Sequence, residues 1–562
     1  MITDLNDIET GTNMRFDLVV VGAGPAGLAI VNELCGQGLK VCLLESGGYS
    51  EEADTQSLYK GHSIGQEFVV DEGRYRVFGG SATRWGGRCA TLDPIDFETR
   101  DWVPYSGWPI SFSDLEPYYE RAKFFSNFKQ EWKQLPSVAE SLGICVPALE
   151  NEKVYPFVWR VASPDRQPSF AHRLQPGWCR TFDYGKAYGP SLIKDPDTYI
   201  ILHANLMEFH SSAEGDVVKS VTISTLSQKR MTINADRFVL CCGGIENARL
   251  LLSAPAAVLR RANTHDNIGR FLGQHPRGTI GTVVADEQNA IRLQQIFNNF
   301  HRSRGSRARE PQYEIGFALT EAAQREHKIL NASAALTYYP GEGSPWRAAK
   351  NIETALRARS LGNLSARDLA NVAKSPEAII PNMYRRFVSG RHLLHANPTI
   401  EIEADFEQEP APSSRITLGT DQDAFGMRRV TVDWRLGESE RRTARHLCEF
   451  LKAAIEKCGL GHVVEAEWLC GSGPIELKQT YHAIGTTRMS STPAEGVVDP
   501  NCRVHGLRNL YIAGCSVFPT GGHANPTLTI IALAIRLSEH LKSEIQKENT
   551  PCIIADHAVA AS

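Results

Sequence analysis

Residues 18–21 form a continuous apolar run, Leu-Val-Val-Val, followed by a glycine-rich turn and an apolar-periodic stretch from Pro25 to about Gln37. A continuous run marks a strand buried on both faces, as in a parallel sheet. Residues 40–45 read as a second strand, so the chain opens with a βαβ unit. Residues 74–87 break the pattern. Their closely spaced glycines disfavour helix and strand alike and suit a backbone passing tightly over a flat ligand. The aromatic- and proline-rich stretch 102–119 reads as a cover over it. Residues 217–242 read as a β-meander. In it 217–225 and 230–233 alternate, 238–242 is a buried strand ending at Gly243-Gly244, and a helix follows over 247–253. Between 276 and 476 alternating strand signals recur at 279–284, 314–319, 333–338, 399–406 and 429–435, separated by charged helical stretches. These predict a second domain on an antiparallel sheet. From His482 the glycine-rich α/β style returns and ends in a helix from Pro526 to about Ile545.

The first turn carries chemistry. Gly22-Ala23-Gly24-Pro25-Ala26-Gly27 is GxGxxG between a strand and a helix, and Glu45 ends the next strand. Gly22 permits the tight turn, Gly24 lets a pyrophosphate approach the backbone, and Gly27 lets helix and strand pack closely. The helix N-terminus stabilises the phosphate charge, and Glu45 can accept hydrogen bonds from ribose hydroxyls. The motif alone does not separate FAD from NAD. Its place in the opening unit, with Glu45-Ser46-Gly47-Gly48 following, leans toward FAD.

Composition changes the picture little. The 562 residues are 42% hydrophobic and 22% charged, ordinary for a globular protein of about two domains. With 60 basic and 64 acidic residues the formal net charge is −4, which gives no reason to expect nucleic acid as a partner. No apolar run is long enough for a membrane span, and the acidic start (Asp4, Asp7, Glu9) lacks the basic region of a signal peptide. The thirteen cysteines show no metal-type spacing and read as reduced thiols of a cytoplasmic protein; Cys552 lies in no lipidation box.

Six blocks, in order, resemble the glucose–methanol–choline (GMC) oxidoreductases. They are the fingerprint with Glu45; Gly79-Gly-Ser-Ala-Thr-Arg-Trp-Gly-Gly; Leu240-Cys-Cys-Gly-Gly-Ile-Glu-Asn-Ala-Arg; Ile268-Gly-Arg-Phe-Leu-Gly-Gln-His-Pro; Tyr481-His-Ala-Ile-Gly-Thr-Thr-Arg-Met; and Asn509 through Thr527. Residues 280–475 match weakly. The closing block, with Asn525-Pro526-Thr527, looks most like pyranose oxidase and bacterial sugar- and glycoside-oxidising relatives. In pyranose oxidase a His just before the block's Trp attaches the flavin. Here Arg84 precedes Trp85, so the resemblance implies a non-covalent FAD.

The architecture expected is α/β. A discontinuous Rossmann-like FAD-binding domain would comprise residues 14–125, 190–275 and 477–547, with a connecting cover at 126–189. An α+β substrate-binding domain built on an antiparallel sheet would comprise 276–476, and 1–13 and 548–562 would be flexible tails. The resemblance places FAD against Gly22, Gly24, Pro25, Ala26, Gly27, Glu45, Ser46, Gly79, Gly80, Ser81, Thr83, Trp85, Gly86, Cys241, Gly243, Gly514, Asn525, Pro526 and Thr527. It implies oxidation of a CH–OH group, most specifically a secondary ring alcohol of a sugar, glycoside or cyclitol. Hydride would pass to flavin N(5), and His482 would take the hydroxyl proton while Asn525 orients the hydroxyl. A non-sugar alcohol, a flavoprotein isomerase or reductase, and a non-catalytic FAD-binding protein are the alternatives. The electron acceptor is open among oxygen, a quinone and a redox protein, and a homo-oligomer is equally open.

Pro526 has a role independent of resemblance. It suits the first turn of a helix and keeps Asn525 out of the helical region, placing Asn525 at an N-cap with a helix terminus that can stabilise charge on the reduced flavin. His523 competes with His482 for the base role. His275 reads as a packing residue at the domain junction, and His62 and His505 lack supporting context. The basic cluster at 301–309 reads as a solvated loop. Trp102, Trp108, Trp159 and Trp178 read as core, while Trp85 reads as lining the flavin edge.

Overall fold

Uncharged Val/Leu runs need burial on both faces, and a computed structural model of the chain shows how this is met. It describes residues 1–9, 11–128, 132, 134–147, 152–162, 181–300, 312–341, 343–357, 365–387, 393–471 and 473–549. Trp178, the basic cluster at 301–309 and Cys552 lie outside the described residues.

Strand Met14–Val21 is central in the first sheet, with Val41–Leu44 on one side and Arg230–Leu240 on the other, both parallel to it. Thr198–Leu202 extends the sheet beyond Val41–Leu44, and Leu510–Ile512 pairs in parallel with the end of Arg230–Leu240. Leu18, Val19, Val20, Leu43, Leu44, Val239 and Leu240 are fully buried. The register aligns Val21 with both Leu44 and Leu240, and Leu240 with Ile512. The strands therefore end together, and the turns after them gather at one edge, where doubly wound sheets bind ligands.

The meander differs from the sequence reading. Residues 230–233 and 238–242 are not two strands: Arg230–Leu240 is one. The polar residues between them interrupt the apolar pattern, but Met14–Val21 needs backbone partners along its length. Pairing accordingly continues from Ile233↔Met14 to Leu240↔Val21. The segment 1–13 also differs from a flexible tail. Ile2–Asp4 adds a parallel strand beside Thr198–Leu202, and the Leu5 side chain is fully buried. At the other end, helix Thr527–Asn549 continues past the boundary drawn at 547.

The second sheet is antiparallel, in the order His462–Glu465, Arg277–Val284, Thr399–Phe406, Ala332–Tyr339, Gln312–Leu319, Val154–Val161 and Arg88–Cys89. It draws its last two strands from outside the 276–476 segment. Helix Glu438–Lys457 packs on it through Ala444, Leu447, Leu451, Ala454 and Ile455. These positions recur at the three- and four-residue spacing of one helix face. Residues 429–435 do not join this sheet. Strand Arg428–Trp434 pairs with Arg415–Gln422 and, in parallel, with His62–Gly65. No described helix is long and apolar enough to cross a membrane.

Candidate active site

The turn after Met14–Val21 is held by tight contacts. Gly22 has φ +106°, and a Cβ on Gly27 would stand 2.0 Å from the Gly22 carbonyl oxygen. Gly24 is the opposite case: a Cβ there would meet nothing within 4 Å. It caps helix Pro25–Leu34 without any side-chain hydrogen bond, so the first-turn N–H groups are left for another acceptor. A Cβ on Gly80 would lie 2.7 Å from the Gly24 Cα, so the second glycine block folds directly onto the fingerprint. An open glycine, free helix N–H groups and a close-packed glycine loop fit a pyrophosphate and the flat ligand attached to it.

Glu45 is 5% exposed. Its carboxylate accepts from the Ala23 N–H at 2.9 Å and the Gly47 N–H at 3.0 Å, locking the two turns together. Burial raises its pKa, against these hydrogen bonds and the nearby Arg76. A carboxylate has lone pairs beyond those two for ribose hydroxyls.

A cavity of about 1770 Å³ runs from these turns to the antiparallel sheet. Gly22, Gly24, Pro25, Glu45, Ser46, Gly80, Ser81, Trp85, Gly86, Cys241 and Gly243 line it, as do His482, Asn525, Pro526 and Thr527. Ala26, Gly27, Gly79, Thr83 and Gly514 are not on its wall and shape it from behind. The Gly79 N–H donates to the Ala23 carbonyl at 3.0 Å, and the Thr83 hydroxyl donates to the Gly80 carbonyl at 2.9 Å. Trp85 is fixed by its Nε1–H, which donates to the Phe182 carbonyl at 2.8 Å. Arg84 pairs with Glu51 at 3.0 Å.

The His482 N–H donates to Gln274 Oε1 at 2.7 Å, and its ring Nδ1 lies 3.2 Å from Thr480 Oγ1. Burial and the neighbouring His275 push the His482 imidazole down to about 3. Arg277 adds to the fall, and Asp405 opposes it. The imidazole is accordingly a neutral acceptor at ordinary pH. The cap position differs from the sequence reading: the Pro526 carbonyl accepts the first helical hydrogen bond, from the Ile530 N–H at 2.8 Å. Pro526 is thus the N-cap, and Asn525 stands one residue before it, because the helix starts at Thr527.

His523 is turned away. Its side chain is fully buried, its Nε2 lies 3.4 Å from Asp93 Oδ2, and its ring meets Phe157 edge-on at 5.0 Å. Burial depresses the His523 pKa, but the Asp93 carboxylate outweighs it and the net shift is upward. His275 is 2% exposed, and its Nε2–H donates to the Gly521 carbonyl at 3.1 Å.

Several residues at the site were given no role by the sequence, although Asn247 and Gln274 lie within two of the six blocks. Asn247 accepts from the Cys242 N–H at 2.9 Å and donates to Ser516 Oγ at 3.0 Å, joining two of the gathered turns. Gln274 and Thr480 hold His482. Glu401 and Glu403 reach the cavity from one face of Thr399–Phe406, and Glu314 reaches it from Gln312–Leu319. Their alternation was readable as a strand, but which face would meet a cavity was not.

Residues 410–534 match the family model described as GMC oxidoreductase. The chain is 23% identical to a paromamine 6'-oxidase of Streptomyces fradiae, over 95% of this chain and 93% of that one. It is likewise 23% identical to a 6'''-hydroxyparomomycin C oxidase of Streptomyces lividus, over 96% and 93%. Among solved structures, a formate oxidase superposes with a TM-score of 0.55 at 14% identity, over 96% of this chain and 100% of that chain. With the cavity and its glycine turns, these likenesses place residues 410–534 in the C-terminal domain of the GMC oxidoreductases and support an FAD-dependent alcohol oxidoreductase.

Proposed function

We propose that the protein oxidises a secondary ring alcohol of a sugar, glycoside or cyclitol to the ketone, with His482 as base. One observation carries the reading: His482 and Asn525, on separate loops, line the same cavity as Gly24, Glu45 and Gly80. Bound FAD, held without a covalent link by the glycine turns, supplies the hydride acceptor at N(5). His482 accepts the hydroxyl proton while the carbon-bound hydrogen leaves with its electron pair, so the alcohol loses two electrons and becomes a carbonyl. Asn525 cannot act as a base; its carboxamide orients the hydroxyl. The positive end of helix Thr527–Asn549 lies behind it and favours negative charge nearby.

The far wall supports a polyhydroxylated substrate. Thr337 pairs with Glu401 and Ala335 with Glu403, so the two carboxylates stand in adjacent rows of the sheet. Thr279 Oγ1 donates to Glu401 at 2.8 Å, and Arg88 pairs with Glu314. A carboxylate accepts several hydrogen bonds at once, so Glu401 and Glu314 keep acceptor capacity for substrate hydroxyls beyond these partners. The sugar class of the substrate is in keeping with relatives named as a paromamine 6'-oxidase and a 6'''-hydroxyparomomycin C oxidase; the ring position oxidised is not.

The test is anaerobic mixing of the flavin-loaded protein with a panel of sugars, glycosides, aminocyclitols and simple alcohols. Bleaching by a member of the first three classes is expected, and His482→Ala should slow it by roughly 10²- to 10⁴-fold. Bleaching by no alcohol, or a near-normal rate in His482→Ala, would sink the reading.

A further inference from the structure

We infer that Thr480 sets the tautomer of His482, placing the ring hydrogen on Nδ1 and leaving Nε2 as the atom that accepts the substrate proton. The inference rests on His482 being the base, and adds which nitrogen acts and what fixes it.

A threonine hydroxyl has a single hydrogen to donate. Thr480 Oγ1 lies 2.7 Å from the backbone carbonyl of His275, which can only accept, so the hydrogen is committed there. What remains on Oγ1 are lone pairs, and these face His482 Nδ1 at 3.2 Å. The contact is a hydrogen bond only when Nδ1 carries the hydrogen. A neutral imidazole has one N–H, so Nε2 is then bare.

The surroundings hold this arrangement in place. The His275 ring donates from Nε2 to the Gly521 carbonyl at 3.1 Å, and the His482 main chain is anchored to Gln274 Oε1 at 2.7 Å. In the opposite tautomer, lone pairs on Nδ1 and Oγ1 would face each other, or the hydroxyl would have to abandon the His275 carbonyl. Either costs a hydrogen bond in a partly buried place. The run His482 Nδ1–H to Thr480 O–H to His275 C=O thus has one direction. Thr480 is a positioning residue that acts through His482.

The experiment uses the flavin-loaded enzyme with ¹⁵N-labelled histidine imidazoles. The His482 resonances are identified by their loss in His482→Gln. In the wild-type protein Nδ1 should show the protonated shift and Nε2 the bare one; the reverse pattern would overturn the inference without any variant being made. Thr480→Val, which removes the hydroxyl at nearly constant shape, should mix the two tautomers. It should lower the limiting rate of anaerobic flavin reduction by about 5- to 30-fold, with substrate affinity within about threefold. Thr480→Ser should restore the rate to within about threefold of wild type. A Val variant with unchanged tautomer and rate, or a Ser variant as slow as Val, would also overturn it. Failure of the base assignment is separate: it appears as a near-normal rate in His482→Ala, whatever the tautomer.

Discussion

The imidazoles of His275 and His482 meet edge to face, with ring centroids 5.2 Å apart. Neither can take up a proton without facing the other across a short distance, and both pKa values are lowered, first by burial. The pair belongs to the neutral state of the folded protein.

A pH dependence follows. With His482 lowered to about 3, the base is free at every pH above that value. The limiting rate of flavin reduction should therefore stay level from pH 8 to pH 5, rather than fall near the ordinary histidine pKa of about 6.5. Stopped-flow reduction across this range checks it; a fall centred near 6.5 would contradict it.

Stability, unlike the rate, should respond to acid. Below about pH 6.5 the unfolded chain binds protons on these two histidines that the folded protein refuses, so unfolding becomes easier as the pH drops toward 3. Denaturant melts of His482→Gln should show a shallower loss over that window than the wild type.

Gly24 and Gly27 should part ways. Alanine at Gly24 meets open space, so the fold should survive while FAD affinity falls, because the methyl occupies the phosphate's approach. Alanine at Gly27 would collide with the Gly22 carbonyl at 2.0 Å and should disrupt the fold itself. Circular dichroism and FAD titration of the two variants separate these outcomes. A Gly24→Ala protein that binds FAD normally would contradict the pyrophosphate placement.

His523 should matter for stability and not for the proton step. Removing it leaves Asp93 with Asn331 but no cation beside Asp96, whose own pKa is raised to about 7 by burial, Asp93 and Glu407. His523→Ala should cost about 1–3 kcal/mol, below the scale for a fully buried pair because Asp93 is 28% exposed and keeps Asn331. The folded, flavin-loaded fraction should still be reduced within about tenfold of the wild-type rate, far above His482→Ala. Denaturant titration and single-turnover reduction measure both.

What could be read from the sequence shares one property: it is contiguous. The fingerprint, Glu45 and the glycine block are short stretches whose spacing is set by one turn or one strand. The strand at 18–21 and the helix from Pro25 could therefore be placed from apolar pattern alone, although the strand starts at Met14 and the helix ends at Leu34 and not near Gln37. The misreadings of strands are long-range. Residues 429–435 alternate like any strand, and nothing local says that they pair with His62–Gly65 instead of the large antiparallel sheet. The polar stretch 234–237 hid the continuity of Arg230–Leu240, which is imposed by its neighbour. Thr480 carried no signal at all, because its part depends on Gln274, His275 and Gly521 converging from elsewhere in the chain. The one-residue slip at Asn525 is of another kind: proline favours a helix start, but only the backbone fixes whether it caps the helix or enters it.

Leu510–Ile512, which gives the end of Arg230–Leu240 a parallel partner, lies far along the chain from it. A ribosome delivers the chain from its N-terminus at about 5–20 residues per second. During synthesis the end of Arg230–Leu240 therefore stays without this partner until residues 510–512 emerge, although Met14–Val21 on its other side is already made.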